Sequence, residues 1–492
     1  MELKELTKLL TVSRTVGDTN VEVKGVEMDT RKIMGGEVFV CVTPRRGLLK
    51  DRHDFAQEAV GKGAVALVVE RDVDVDVPKI FVKDTRLALA VMATHFNDHP
   101  SESIGLIGVT GTNGKTTTSY IIDHILESAG YKNGLMGNNI MKIDGQWKET
   151  AINTQEPPDL QRNLRQMRDL KHDSCVMEVT SQGLDMKRIT GCDFKTAVFT
   201  NLTQDHLDYH GTIEDYKRAK ALLFSGMGNS FNATKRKHVV LNIDDEAYEY
   251  LEQMVSCEVI TYGIENECDV RAKDIEITPN GMEFLLSTFK GDYKVSSPLI
   301  GRFNIYNSLA AIATCIAEGV SLEKITECLS TTPNIAGRME VVSDNQDYTA
   351  VVDFAHTPDA LENVLSSIRE LSKGNILTVF GCGGDRDSTK RPIMGEVASN
   401  YSDHVIVTSD NPRTENRDRI IEDIQSGIDQ QTSVNIVPDR QEAIALALRL
   451  AQAEDVVVIA GKGQESYQLI NNEKLPFDDK ETARKLMETV SR

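Results

Sequence analysis

The 492-residue chain contains no Cys-x-x-Cys pair, and no histidine cluster stands beside any of its eight cysteines. A zinc or disulfide framework is thereby disfavoured, and the cysteines read as reduced core residues of a cytoplasmic chain. Nowhere does an apolar run reach the roughly 18 residues that a membrane-spanning helix needs. The N-terminus, Met1-Glu-Leu-Lys-Glu-Leu-Thr-Lys8, lacks the apolar stretch of a signal peptide, so no membrane insertion is expected. Basic residues are in short supply, 55 against 75 acidic, for a formal charge of −20. That charge repels nucleic acid and anionic membranes, so neither is expected as a partner, and an anionic ligand must be met by local cations. No internal repeat or low-complexity tract suggests a solenoid or a disordered tail.

The chain has apolar content for several cores, and its length suits about three domains. Residues 1–99 alternate short apolar runs (38–42, 64–69, 79–82) with helical patterns such as 84–93, the signature of a small α/β domain. A turn-rich junction at Asn97-Asp-His-Pro-Ser101 leads into a second unit, 100–335. There the runs at 175–179 and 195–200 are continuous enough for strands buried on both faces of a parallel sheet. A third unit, 336–492, carries four apolar runs (350–353, 376–380, 404–408, 455–460) separated by helical stretches, the alternation of a doubly wound sheet. Polar residues follow each strand, where ligands bind in open α/β sheets.

The most informative stretch is Gly111-Thr-Asn-Gly-Lys-Thr-Thr117, between an apolar run and an amphipathic pattern. Gly111 and Gly114 let backbone N–H groups of this stretch, which includes Thr112 and Asn113 as nucleotide-binding candidates, crowd around a phosphate, Lys115 adds a cation, and the Thr116 or Thr117 hydroxyl suits Mg²⁺. Val109 stands where a strict P-loop has its first glycine, so the cradle is a variant. Glu178, at a strand end, and His206, just beyond the next, are placed to face it as a Mg²⁺ set, or else to be a surface carboxylate and a satisfied histidine. Lys220 lies on an amphipathic helix and by itself reads as a solvated lysine. In the third unit, Asp410-Asn411-Pro412-Arg413 follows a buried strand, with proline fixing the turn. Such a turn can read an amine and a carboxylate together, and Arg386 with Glu465 offers a second pair of the same kind.

These motifs, with Gly301-Arg-Phe-Asn-Ile-Tyr-Asn307, Gly337-Arg-Met-Glu340, Val352-Asp-Phe-Ala-His356 and Gly381-Cys-Gly-Gly-Asp-Arg386, run in one order along nearly the whole chain. Together they resemble the ATP-dependent Mur ligases, in particular the branch that adds the third amino acid to UDP-N-acetylmuramoyl-L-alanyl-D-glutamate. The resemblance implies an N-terminal UDP-binding domain, a central P-loop-type ATPase domain with a mostly parallel sheet, and a C-terminal Rossmann-like domain for the amino acid. It implies ATP and Mg²⁺, UDP-MurNAc-dipeptide and meso-diaminopimelate as partners, and a monomer. Residue by residue, Lys115, Glu178, His206 and Lys220 take catalytic positions, Lys220 as a carbamylated lysine that with Thr116, Glu178 and His206 positions the metal. Asn304, Arg338, Asp353 and His356 match nucleotide positions. Thr30, Asn153, Thr154, Thr180, Ser181 and Arg188 fall on the UDP-substrate side, and residues 47–55 resemble the uridine loop. Arg386, Asp410 to Arg413, Gly461 and Glu465 match the diaminopimelate contacts, the distal carboxylate giving Arg413 something to grip.

The chain departs from the family pattern on the acceptor side, with Asn153-Thr-Gln-Glu-Pro157 for Asn-Thr-Thr-Pro and Thr180-Ser-Gln182 for Ser-Ser-His. An added carboxylate near an anionic substrate is unfavourable unless paired. A ligase of the same branch with an altered acceptor is therefore the first alternative. A folylpolyglutamate-synthase-like ligase is a second, disfavoured by the separate N-terminal domain and the Asp410–Arg413 turn. A non-catalytic nucleotide-dependent binding protein is a third, disfavoured by the intact Lys115, Glu178, His206 and Lys220.

Overall fold

The computed structural model describes residues 1–45, 50–230, 232–343, 346–471 and 473–490, so 47–49 of the expected uridine loop lie outside the described residues. The chain forms three principal α/β sheets in succession. In the first, four parallel strands, Gly25–Glu27, Glu37–Val40, Ala66–Val69 and Lys79–Val82, are closed by the antiparallel Ser13–Val16. The apolar runs of its middle strands are wholly buried, as continuous rather than alternating hydrophobicity requires. Asp84 caps the helix Thr85–Phe96 by accepting a hydrogen bond from the Leu87 N–H.

The second sheet has eleven strands. Its centre is parallel, with the loop strand Gly105–Thr110 between Ser174–Glu178 and Phe194–Phe199, so both strand-end segments emerge beside the loop. His238–Asn242 and Glu258–Gly263 extend it on one side and Asn133–Gly137 on the other, before antiparallel hairpins finish each edge. Helices Lys115–Ser128 and Arg302–Ala317 pack one face, where Leu309, Ile312, Ala313 and Ile316 are buried at helical spacing and Gly319 ends the pattern at φ +90°.

The third sheet orders its parallel strands Thr349–Asp353, Val456–Ala460, Ile376–Phe380, His404–Val407 and Ser433–Ile436, with Glu340–Val341 antiparallel at the edge. It docks on the central unit through Asn113 Nδ2, which donates to Asp359 Oδ2 at 2.5 Å, and Arg338 Nη2, which donates to Thr116 Oγ1 at 3.1 Å. All eight cysteines are free thiols.

Candidate active site

The glycines of the loop are dictated by contact. Gly114 has φ +83°, and a Cβ there would lie 2.2 Å from Asn307 Oδ1; one on Gly111 would lie 1.8 Å from Thr200 Oγ1. The bare backbone can therefore pass between two strands' ends and a helix, and the helix N-terminus of Lys115–Ser128 points into the space so formed. Thr112 Oγ1 receives the Thr203 N–H at 3.0 Å, and the Asn113 N–H donates to Asn201 Oδ1 at 2.8 Å, tying the loop to the segment after the neighbouring strand. The Lys115 ammonium folds back on the Gly111 and Thr112 carbonyls at 3.0 and 2.7 Å. Burial lowers its proton affinity, while Glu178 and Asp205 oppose that shift.

Glu178 meets the loop as the strand order implies. Its Oε1 accepts from Thr116 Oγ1 at 2.8 Å and its Oε2 from Asn153 Nδ2 at 2.9 Å. Thr116 thus links Glu178 to Arg338, joining two units at one hydroxyl. His206 takes a left-handed conformation, φ +56°, just before a short helix, with Nε2 3.4 Å from Asp205 Oδ2. Burial drives its imidazole down to about 3, so the ring is neutral and able to donate a lone pair.

The reading of Lys220 as a solvated lysine is overturned. The residue is 2% exposed, its Nζ donates to the Gly111 carbonyl at 2.6 Å and lies 4.4 Å from the centre of the Tyr216 ring. Burial first, and then the Lys115 charge, hold it well below the ordinary lysine range. The amphipathic pattern located the helix, but the surface covering its polar face is the loop itself.

Two cavities serve the site, and the first opens on the loop. The larger, about 400 Å³, is lined by Asn113, Gly114 and Thr117, by Arg338 and Asp353 across the interdomain gap, and by the aromatic rings of Tyr262, Phe303 and Tyr306. Asn304 acts one step removed, its Oδ1 accepting from Asn307 Nδ2 at 3.0 Å and so orienting the amide against Gly114. Asp353 accepts the Met339 and Ala355 N–H groups at 2.7 Å each, and Arg338 stacks on Phe354 at 4.7 Å. Phe303, Tyr306 and Asn307 belong to the Gly301–Asn307 motif, in which the resemblance gives only Asn304 a role, and Tyr262, on the strand Glu258–Gly263, belongs to no motif.

The second cavity, about 130 Å³, gathers His206 from the central unit with Arg386, Asp410, Asn411, Arg413, Gly461 and Glu465. His356, expected on the nucleotide side, lines this cavity, its Nδ1 2.9 Å from the Phe354 carbonyl. Asn411 knits the wall: Nδ2 donates to Glu465 Oε2 at 2.8 Å and Oδ1 receives the Leu469 N–H at 2.9 Å. Glu465 is paired with buried Lys462, also at 2.8 Å, and shares the cavity wall with Arg386. Arg413 donates from Nη1 to the Gly384 carbonyl at 2.6 Å. Pro412 fixes the preceding turn, and a Cβ on Gly461 would crowd Asp410 Oδ2 at 2.8 Å.

On the acceptor side, Thr154 accepts from the Thr180 N–H and hydroxyl at 2.9 Å each, and Ser181 Oγ lies 2.9 Å from His210 Nε2. Thr30 bonds Glu58 at 2.8 Å within the first unit, and among the described residues none of its hydrogen bonds reaches the central set. Gln155 and Glu156 both find partners, although the buried Oε2 of Glu156 has none among the described residues. Gln155 is buried and accepts from Asn163 Nδ2 at 2.6 Å, and Glu156 pairs with Arg188 Nε at 2.9 Å. The condition for tolerating the added carboxylate is met by the guanidinium that the family resemblance implies for substrate.

Comparison with known proteins follows the same lines. The Mur ligase middle domain matches residues 109–315 and the Mur ligase glutamate ligase domain matches 337–463. A UDP-N-acetylmuramoyl-L-alanyl-D-glutamate–2,6-diaminopimelate ligase of Geobacillus kaustophilus (strain HTA426) is 46% identical, covering 94% of this chain and 95% of the relative. One of Bacillus velezensis (strain DSM 23117) is 46% identical, covering 97% and 98%. A solved structure of a ligase of that name superposes with TM-score 0.69 at 32% identity, covering 100% of this chain and 99% of the other. The glycine loop, the two cavities and this full-length likeness agree: the chain belongs to the Mur ligase family, in the branch of the 2,6-diaminopimelate ligases.

Proposed function

We propose that the chain joins meso-diaminopimelate to the D-glutamate carboxylate of UDP-N-acetylmuramoyl-L-alanyl-D-glutamate, using ATP and passing through an acyl phosphate. The observation that carries this reading is the second cavity, which brings guanidinium groups (Arg386, Arg413) and carboxylates (Asp410, Glu465), the two kinds of group a zwitterion needs, into one wall with His206. A carboxylate is a poor acyl donor until phosphorylation turns one oxygen into a leaving group. Lys115 and the N–H groups at the start of the helix Lys115–Ser128 would hold the γ-phosphate against the charge that gathers during transfer, since the Thr112 and Asn113 N–H groups are bonded to Asn201. The aromatic cavity would take the base of ATP, with Arg338 closing over it from the C-terminal unit.

The donor chemistry fits Mg²⁺. Thr116 and Glu178 present adjacent oxygens at the loop, the sparse protein set this ion accepts alongside phosphate, and neutral His206 adds a nitrogen. When bound, the ion would neutralise charge on the phosphate oxygens. A buried amine held below its usual range, like that of Lys220, is a nucleophile toward CO₂, and carbamylation would turn a useless ammonium into an anion beside the loop. On this reading the protein acts as a monomer in the cytoplasm, where ATP and the nucleotide-sugar peptide meet.

The Glu156–Arg188 pair supports one second reading, an altered acceptor, because it occupies a guanidinium on the substrate side. One experiment separates the two: phosphate release from ATP with UDP-MurNAc-dipeptide, D-glutamate-containing or amidated, and a panel of amino acids. Release stimulated by diaminopimelate with the D-glutamate acceptor supports the main reading. Release only with the amidated acceptor supports the second, and amino-acid-independent binding without turnover refutes both.

A further inference from the structure

Lys390 opens the helix Lys390–Tyr401 and lies in the wall of the second cavity, yet no motif or comparison gives it a role. The turn before the helix is fixed by Asp387, whose Oδ1 accepts from the Thr389 N–H at 2.9 Å and hydroxyl at 2.6 Å. That turn aims the side chain inward, and Lys390 is 6% exposed. Its ammonium makes one hydrogen bond, to the His356 carbonyl at 2.9 Å. Among the described residues no carboxylate lies within ion-pair distance of it. The next residue, Arg391, is also buried but is paired with carboxylates, Glu415 at 2.7 Å and Asp423 at 2.8 Å. Burying a cation costs several kcal/mol unless it is paired. A lysine kept in such a wall with two of its three N–H donors uncommitted is arranged to meet an anion in the cavity. The helix N-terminus adds partial positive charge at the same point. Lys390 is also close enough to Asp205 to help hold that carboxyl ionised against the effect of burial.

We propose that Lys390 is a further catalytic residue, its ammonium contacting the acyl phosphate and stabilising the charge that develops as the amine attacks. The proposal rests on the ligase reading above. In that step the neutral amine nitrogen forms a bond to the acyl carbon, and the carbonyl oxygen takes up the displaced electron pair as an oxyanion. Collapse breaks the carbon–oxygen bond to phosphate, which leaves with that electron pair and with the proton lost by nitrogen. An acyl phosphate dianion and an amine thus become an amide and hydrogen phosphate dianion, with charge conserved. Lys390 donates hydrogen bonds to the oxyanion and to the departing phosphate without itself giving up a proton.

The test separates the two half-reactions in wild type and in Lys390→Met, Lys390→Gln and Lys390→Arg. Formation of the acyl phosphate is followed without amino acid, as oxygen-18 scrambling between the β,γ-bridging and β-nonbridging positions of ATP. Amide formation is followed with diaminopimelate. Lys390→Met is expected to keep scrambling within about threefold while kcat for amide formation falls about 100-fold or more, the scale for losing one preorganised donor. KM for diaminopimelate should stay within about threefold, and Lys390→Arg should recover at least about a tenth of the lost rate. Lys390→Gln, which keeps a donor for the His356 carbonyl, carries the same expectation should methionine impair folding. Equal loss of scrambling and amide formation, an unchanged amide rate, or arginine no better than methionine would each overturn the proposal. A wild-type protein silent in both assays would instead overturn the ligase reading itself.

Discussion

Replacing Arg413 by alanine separates recognition of the amino acid from every other function of the site. Arg413 spends Nη1 on the Gly384 carbonyl, and its Nε and Nη2 carry no hydrogen bond among the described residues. The side chain lines the cavity beside Arg386, and burial first, then this like charge, lowers its proton affinity. Two charge-assisted hydrogen bonds to a distal carboxylate, at about 1.5–3 kcal/mol each, give about 3–6 kcal/mol gross. Relief of the Arg386 repulsion and water filling the gap reduce this to about 2–4 kcal/mol, or about 30- to 900-fold in affinity. The residue sits at φ +52°, a conformation as costly for arginine as for alanine, so the substitution adds no backbone strain. The assay is kcat/KM with meso-diaminopimelate and with L-lysine, which has the same amine but no distal carboxylate. Arg413→Ala should lose about two orders of magnitude with the first and less than about threefold with the second, collapsing the preference between them. Equal losses with both amino acids would show that Arg413 only supports the Gly384 turn, and the carboxylate argument would fail.

Other substitutions probe the remaining parts. Gly114→Ala forces a Cβ onto Asn307 and an L-residue into φ +83°, and should weaken ATP binding by about tenfold or more in calorimetry, since left-handed backbone costs alanine about 1–2 kcal/mol. Lys220→Ala should lose amide formation and regain part of it with millimolar formate or acetate; an active variant, or an inactive one that no carboxylate rescues, would count against a carbamate. His206 gives a pH signature: its ring titrates near 6.5 when unfolded and about 3 when folded, so the unfolded chain binds the extra proton between those values. Stability is therefore complete above pH 6.5 and falls on acidification, with a slope of up to about 1.4 kcal/mol per pH unit from this group. In denaturant titrations without ATP or metal, His206→Asn, which tolerates the left-handed backbone, should flatten that acid limb between pH 6.5 and 4. An unchanged slope would mean the imidazole is not held neutral by the fold.

Much of the architecture is written locally. Runs such as Val38–Val42 and Val456–Ala460 read as strands covered on both faces, and the pattern 84–93 reads as the helix that runs Thr85–Phe96, with Asp84 now seen as its cap. The placement of Glu178 at a strand end, with the glycine loop after the adjacent strand, followed from the alternation of elements, because the parallel sheet delivers all its carboxyl ends to one side. The ordered motifs likewise pointed to a nucleotide and to a carboxylate-bearing amino acid. Charge was different, since its meaning depends on what covers it. Lys220 reads as solvated on its helix and proves buried against Gly111, 109 residues earlier. Glu156 reads as a hazard to an anionic substrate and proves neutralised by Arg188. Arg338 reaches Thr116 across 222 positions. The first glycine loop keeps its backbone shape because Thr200 and Asn307 leave room for nothing larger. Periodicity fixes which face of an element a residue occupies. Only the closed tertiary structure decides which carbonyl, carboxylate or cavity that face meets, and hence whether a buried ammonium such as that of Lys390 is a structural pin or a waiting donor.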